Sequence, residues 1–214
     1  MCRFASFVLT KDREFYNEDG DSHSEIISEH CLNEWGVNGP NIVKVEIVPT
    51  AEIKTWPSLK KWKFVIDQDI LPAWADRAEL ETRTRVALQK RYKKGFKTVD
   101  VTGCTLLTSL KADAAQSVDV RGCTALTSLK ADAAKTVYAT GCTSLTSLKA
   151  DTAQYVYASG CTSLTSLKAD TAQCVYASGC TSLTSLKADE AKTVNVTGCA
   201  SLKYEAKKGQ RIYQ

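Results

Sequence analysis

The stretch ASGCTSLTSLKADTAQCVYASGC, residues 158–180, contains nearly the same sequence twice, because Gly160-Cys161 returns as Gly179-Cys180 nineteen residues later. The same spacing relates six Gly-Cys pairs, whose cysteines are Cys104, Cys123, Cys142, Cys161, Cys180 and Cys199. Leucine follows every one of these cysteines at the third position, and the first five also at the sixth. A fixed period of this length predicts a solenoid, in which each repeat stacks on the one before it.

Each repeat contains two short segments in which apolar and polar residues alternate. In SLKAD, residues 147–151, the apolar residues are Leu148 and Ala150. In YVYAS, residues 155–159, Val156 and Ala158 share one face. Such alternation is typical of a β-strand with one buried face. Two strands in each coil, stacked at about 4.8 Å, predict two parallel sheets.

These residues resemble a known family. GCTSLTSL followed by a short strand, with a cysteine opening each unit, resembles the leucine-rich repeat of the BspA-like bacterial type. The framework Ala153-x-x-Val156-x-Ala158-x-x-Cys161-x-x-Leu164 matches the Cys form of the leucine-rich consensus. The resemblance covers roughly residues 98–202, with a repeat shorter than the family's and without its aromatic and proline. It implies a protein that binds other molecules and does not catalyse.

The composition changes near residue 95, because all four tryptophans and all four prolines precede it. We therefore predict a small α+β capping domain at residues 1–95, a leucine-rich-repeat solenoid of 19-residue coils at 96–202, and a C-terminal cap or tail at 203–214. Within the first domain, segments such as RFASFVLT and IVKVEIV are typical of strands, and residues 76–95 of a helix. The predicted fold class is an α+β cap domain followed by a β-rich solenoid with two short parallel sheets.

The six repeated cysteines are predicted to pack inward as small apolar groups. Their parallel side chains disfavour disulfides, and a 19-residue spacing lacks the closely spaced pairs of a zinc site, so no metal and no cofactor is expected. Rows of lysine and aspartate face outward side by side, and the net charge is only +4. Both observations argue against nucleic acid as the partner.

Variation between the repeats is concentrated on the outer face of the second strand. This face is predicted to bind another protein, because tyrosine and arginine are enriched among residues that dominate binding energy. The alternative is that tyrosine merely suits strands and stacks on itself. The candidate binding residues are Tyr138, Tyr155, Tyr157, Tyr176, Arg121 and Asp119.

A competing hypothesis places an enzyme in the first domain. Removal of Met1 would leave Cys2 as an N-terminal nucleophile, and His23 is a candidate base. Class II glutamine amidotransferases look similar at the start, but the resemblance covers two residues, and Arg3 stands where that family has glycine. The residues give no geometry for a Cys2–His23 pair, and no catalytic residue follows from a motif.

The chain contains no apolar run long enough to cross a membrane and no secretory signal, which predicts a cytoplasmic location. Near-identical copies indicate recent duplication, which accompanies rapidly changing interaction proteins of microbes and their viruses. A small first domain followed by short repeats also looks like phage-encoded proteins, and that resemblance implies a host-directed, counter-defence role in the host cytoplasm. The oligomeric state and the identity of the partner protein stay open.

Overall fold

The computed structural model describes residues 5–17, 22–49, 62–94 and 96–214. Of Pro49, Tyr92 and Lys93 it describes the backbone alone. The described chain forms two compact units, one made of the described residues up to Phe96 and the other of residues 97–214.

The first unit is built on a four-stranded antiparallel sheet in the order β2-β1-β5-β6. Two helices and a short hairpin complete it. The elements are β1 (Ala5–Leu9), β2 (Glu14–Phe15), α1 (His23–Glu29), β3 (Trp35–Gly36), β4 (Gly39–Pro40), β5 (Val43–Pro49), β6 (Trp62–Ile66) and α2 (Arg77–Lys94). The α+β class predicted for this region is confirmed. The two-residue strands β2, β3 and β4 are too short to produce a detectable alternation and were not expected.

Apolar side chains from the sheet and from both helices form the core of this unit. Val8 of β1, Ile26 of α1 and Ile42 form one buried cluster, against which Phe15 packs. Helix α2 begins after Asp76, whose side chain accepts a hydrogen bond from the Glu79 backbone N–H at 2.8 Å. This bond satisfies one of the free N–H groups of the first turn and explains why the helix begins there.

The second unit is a β-solenoid, which confirms the predicted fold class. One parallel sheet has five strands, namely β8 (Ser109–Lys111), β10 (Ser128–Lys130), β12 (Ser147–Lys149), β14 (Ser166–Lys168) and β16 (Ser185–Lys187). The other has seven, namely β7 (Thr98–Asp100), β9 (Ser117–Asp119), β11 (Thr136–Tyr138), β13 (Tyr155–Tyr157), β15 (Cys174–Tyr176), β17 (Thr193–Asn195) and β18 (Arg211–Tyr213).

Neighbouring coils pair in register, so that equivalent residues of the repeat lie directly beside one another. Leu148 of β12 pairs with Leu129 and Leu167, and Val156 of β13 pairs with its equivalents in β11 and β15. The inward leucine, valine and alanine columns are buried throughout the central coils. Identical small side chains therefore fill a narrow core in continuous rows, which is how so short a repeat buries its apolar surface.

The glycine before each cysteine is required by backbone conformation. These six glycines have φ between 69° and 76°, in the left-handed region that residues with a side chain rarely adopt. A Cβ atom built on Gly160 would lie 4.0 Å from the Gly141 backbone, which is ordinary contact. The repeat therefore requires glycine at this corner because of the positive φ and not because of crowding.

Five of the six repeated cysteines are buried free thiols, as predicted. Each donates a hydrogen bond from Sγ to a backbone carbonyl oxygen of the preceding coil, for example from Cys161 to Ala139 at 3.0 Å. Cys104 differs, because it is disulfide-bonded. The prediction of six reduced packing thiols is therefore confirmed at five positions and wrong at the first.

We expect alkaline pH to destabilise the solenoid through these thiols. Burial raises the pKa of the Cys123 thiol to about 12, from the ordinary value of 9.0. The unfolded chain therefore loses this proton at lower pH than the folded chain, and stability falls as the pH rises from 9.0 towards about 12. Between those values, each pH unit lowers the folding equilibrium constant by up to about tenfold for this thiol.

Urea unfolding of the reduced protein at a series of pH values measures this loss. The wild type must lose stability more steeply than Cys123→Ala above about pH 9, because the variant lacks the titrating group. The lysines of the solenoid titrate equally in both proteins, so they cancel in the comparison. Parallel stability curves for the two proteins would refute the assignment.

The C-terminal residues complete the second unit by adding one strand to the seven-stranded sheet. Strand β18 pairs with β17, and Ile212 lies beside Val194. The side chains of Tyr204 and Gln210 both donate hydrogen bonds to the Ala188 carbonyl oxygen, at 3.5 and 2.9 Å. The segment after the last complete coil thus forms hydrogen bonds with backbone groups of that coil, although its sequence does not follow the 19-residue repeat.

Candidate binding surface

The outer face of the five-stranded sheet consists of paired charges. Each central lysine lies between two aspartates, one from its own coil and one from the coil before: Lys149 Nζ is 3.0 Å from both Asp151 Oδ2 and Asp132 Oδ2. The same pattern holds for Lys130 and Lys168. Because each charge is matched within the sheet, this face offers a partner no unbalanced row of either sign, as the sequence suggested.

The outer face of the seven-stranded sheet carries a row of stacked tyrosines. The ring centroids of Tyr138 and Tyr157 are 5.1 Å apart with their planes inclined by 8°, and those of Tyr157 and Tyr176 are 5.2 Å apart at 3°. The spacing follows from the pairing of β11, β13 and β15, because strands in a sheet lie about 4.8 Å apart. In-register stacking therefore places three phenol groups in a straight line.

One end of the row is covered by an arginine. The Arg121 guanidinium carbon lies 5.5 Å from the centroid of the Tyr138 ring, within the range of a cation–π contact. Arg121 also donates hydrogen bonds from Nε and Nη2 to the Asp119 carboxylate, the shorter at 2.6 Å. Because the carboxylate holds the guanidinium in a fixed orientation, the arginine is positioned before any partner arrives.

Ionisation of these groups follows from their contacts. Burial raises the pKa of the Asp119 carboxyl, but hydrogen bonds from Arg121 and Thr102 lower it by more, so the net pKa is below its ordinary value. Burial and the neighbouring tyrosines raise the pKa of the Tyr157 hydroxyl. At neutral pH the surface therefore presents the Asp119–Arg121 ion pair and an uncharged Tyr157 hydroxyl.

Tyr155 lies on the same face in the adjacent outward column and is 37 % exposed. Its neighbours in that column are Thr136 and the half-buried Cys174, as the strand register requires. The structure thus brings all six sequence-predicted binding residues to one face of one sheet. We call this face the tyrosine surface, comprising Asp119, Arg121, Tyr138, Tyr155, Tyr157 and Tyr176.

Stacking determines which atoms of the row a partner can reach. Both faces of the Tyr157 ring are covered by Tyr138 and Tyr176, and Arg121 covers the outer face of Tyr138. Sugars and nucleic-acid bases bind aromatic side chains by stacking on an open ring face. Tyr138 and Tyr157 instead present ring edges and hydroxyl groups, which suit hydrogen bonding and edge contacts with protein groups.

The enzyme hypothesis involves one residue that the structure describes. Cys2 lies outside the described residues. His23 begins helix α1; its Nε2 is 3.0 Å from the Val45 carbonyl oxygen and its Nδ1 is 3.2 Å from Asp67 Oδ2. The pairing of Cys2 with His23 thus stays a prediction, and the described contacts of His23 are with residues that the sequence did not associate with it.

A surface cleft in the first unit was missed by sequence reasoning. Its volume is about 220 Å³, and it is lined by Glu34, Trp35, Pro40, Ile42, Lys44, Gln68, Asp69 and Ile70. Lys44 Nζ and Glu34 Oε2 form an ion pair at 2.6 Å on its wall, and the Trp35 side chain is exposed. These residues come from the β3–β4 hairpin, the start of β5 and the segment after β6, which share no sequence motif.

Comparison with known proteins finds no matching family model, no matching curated protein and no matching solved structure. Among the described residues, neither helix has the length and apolar character needed to cross a lipid bilayer.

Proposed function

We propose that the protein is a non-enzymatic binding module that contacts another protein through the tyrosine surface. The observation that carries this proposal is the row Tyr138–Tyr157–Tyr176, in which stacking covers both ring faces of Tyr157 and, with Arg121, those of Tyr138. Tyrosine and arginine supply large contact areas with little loss of side-chain freedom, and they dominate many protein interfaces. The contrast with the charge-matched outer face of the five-stranded sheet supports the choice of this surface.

We also propose that the repeat is a short form of the BspA-like leucine-rich repeat. The inward positions of the cysteine, leucine and valine columns support this assignment, since the consensus requires apolar groups there. A cytoplasmic location, a phage origin and a host-directed role belong to the same proposal, and isolation of the partner tests them. A host protein captured through the tyrosine surface would support all three.

A triple replacement of Tyr138, Tyr157 and Tyr176 by serine tests the surface. We expect it to weaken binding of the purified partner by about 100-fold or more, because each residue of this kind contributes a large share of interface energy. Calorimetric titration of the partner with wild type and variant measures the loss. Retention of full affinity in a folded triple variant would overturn the proposal.

Two further variants separate binding from folding. Tyr157→Phe keeps the ring and its stacking but removes the hydroxyl, and it should weaken binding by about tenfold while leaving stability nearly unchanged. The second variant has serine in place of Lys130, Lys149 and Lys168. It truncates three side chains on the five-stranded sheet and should leave the affinity for the partner unchanged. If this lysine variant instead loses the partner, the contact lies on the other sheet.

A further inference from the structure

We propose that His23, Glu46 and Asp67 form a binding site for a divalent first-row metal ion of the Zn²⁺ type. One potential ligand atom from each of these residues lies within 4.8 Å of the other two. Ligands about 2.1 Å from a tetrahedral Zn²⁺ are about 3.4 Å from one another, so small side-chain rotations close the set. The site lies in the first unit, is independent of the tyrosine surface, and was not expected from the sequence.

The hydrogen bond of His23 selects the nitrogen that faces the carboxylates. A backbone carbonyl oxygen only accepts hydrogen bonds, so His23 Nε2, 3.0 Å from the Val45 oxygen, must carry the proton. This leaves Nδ1 to face Asp67 Oδ2 at 3.2 Å. Metal-binding histidines show this arrangement, in which the second ring nitrogen donates to a carbonyl and orients the ring.

The contact between Nδ1 and the carboxylate is suited to a cation. A neutral Nδ1 offers a lone pair, and a carboxylate oxygen at 3.2 Å offers another, so the contact is repulsive unless a proton or a metal ion occupies it. An ion bound there would also lie beside the Glu46 carboxylate, whose residue is only 6 % exposed, so the ligand set is partly shielded from water.

The three ligands are held by consecutive residues of strand β5. Val45 fixes the His23 ring, and Glu46 is itself in the strand, paired with Ser6 and Val65 in the neighbouring strands. The backbone N–H of Asp67 donates to the Lys44 carbonyl oxygen at 2.8 Å. The ligands are therefore in place before the ion binds, and the Asp67 side chain, 51 % exposed, leaves a path for the ion and for a completing water.

Zn²⁺ titration with detection at the imidazole nitrogens tests this proposal, and only two histidines contribute signals. In protein freed of metal by EDTA, with Cys31 and Cys174 replaced by serine to remove the accessible described thiols, one equivalent of Zn²⁺ should shift the His23 Nδ1 resonance and raise the unfolding midpoint. Asp67→Asn should weaken binding about 10- to 100-fold, and Asp67 is exposed enough for that variant to fold.

His30→Gln is the matched control, because His30 is exposed and its ring is near a carbonyl oxygen, that of Tyr16, but belongs to no such ligand group among the described residues. It should leave Zn²⁺ affinity unchanged. Two results would overturn the proposal: a His23 Nδ1 signal that stays that of a protonated ring in the presence of Zn²⁺, or Zn²⁺ affinity that Asp67→Asn and His23→Gln leave intact. The first result would show that the contact is an imidazolium–carboxylate ion pair, and the second that the ion binds elsewhere.

Discussion

Replacement of Leu164 by alanine is expected to lower the free energy of unfolding by about 3 kcal/mol. The Leu164 side chain is fully buried in a central coil, and the equivalent leucines Leu145 and Leu183 lie in the coils on either side. Truncation removes apolar contacts and leaves a cavity that the paired strands cannot close, because register holds the backbone at a fixed spacing. Urea unfolding followed by circular dichroism measures the loss.

Leu106→Ala provides the control, because Leu106 is 53 % exposed in the first coil. It should change stability by less than about 0.5 kcal/mol. A small loss at Leu164, similar to that at Leu106, would show that the leucine column does not form the core of the solenoid. The comparison uses the same chemical change at both positions, so differences in helix or strand propensity play no part.

Replacement of Ala134 by leucine is expected to destabilise the protein by about 3 kcal/mol, at the upper end of the range for overpacking. Ala134 is fully buried, and Ala115 and Ala153 occupy the same position in the adjacent coils. A larger side chain therefore meets the buried alanines of the coils on both sides, with no exposed space to enter. The neighbouring residue provides the control, because Ala133 is exposed in the same turn.

Ala133→Leu should be tolerated within about 0.5 kcal/mol. If Ala134→Leu were as stable as the wild type, the coil would be wider than the structure has it. The two alanine variants together measure how narrow the core is, whereas Leu164→Ala measures how well it is filled.

The solenoid was predictable because its signal is repeated. Each inward position appears in several copies, so the alternation in SLK and YVY locates the strands, as β12 and β13 confirm. Strand β18 has no copy: Ile212 replaces the expected valine, and its offset from Val194 differs from the 19-residue period. The sequence therefore indicated only a tail where the structure has another strand.

In helix α2 the buried stripe contains Thr84 and Arg91, two polar residues that obscure the helical periodicity of apolar positions. Arg91 is buried because its guanidinium lies over the rings of Tyr16 and Phe96, each about 5.0 Å away. These partners are distant in the sequence or outside the helix. Burial of this kind depends on contacts that a local pattern does not contain.

Alternation along the strands was enough to predict which residues of the tyrosine surface share a column. The fixed repeat was enough to predict that the tyrosine rings lie in a line. The position of Arg121 over Tyr138 was not predictable, because it depends on the hydrogen bond that Arg121 donates to Asp119, which orients the guanidinium. The His23–Glu46–Asp67 group was also beyond reach, since its members lie on three elements with no shared spacing. Contacts between elements, and not within a repeat, account for what the sequence missed.

The in-register pairing of nearly identical coils also affects how the gene can change. Because every central coil offers the same inward columns to both neighbours, gain or loss of one unit of 19 codons through unequal recombination preserves the core and the reading frame. Each such event would lengthen or shorten the phenol row by one ring, or about 4.8 Å. Recombination can thus change the length of the contact surface in steps of one coil, while the residues that form the core stay the same.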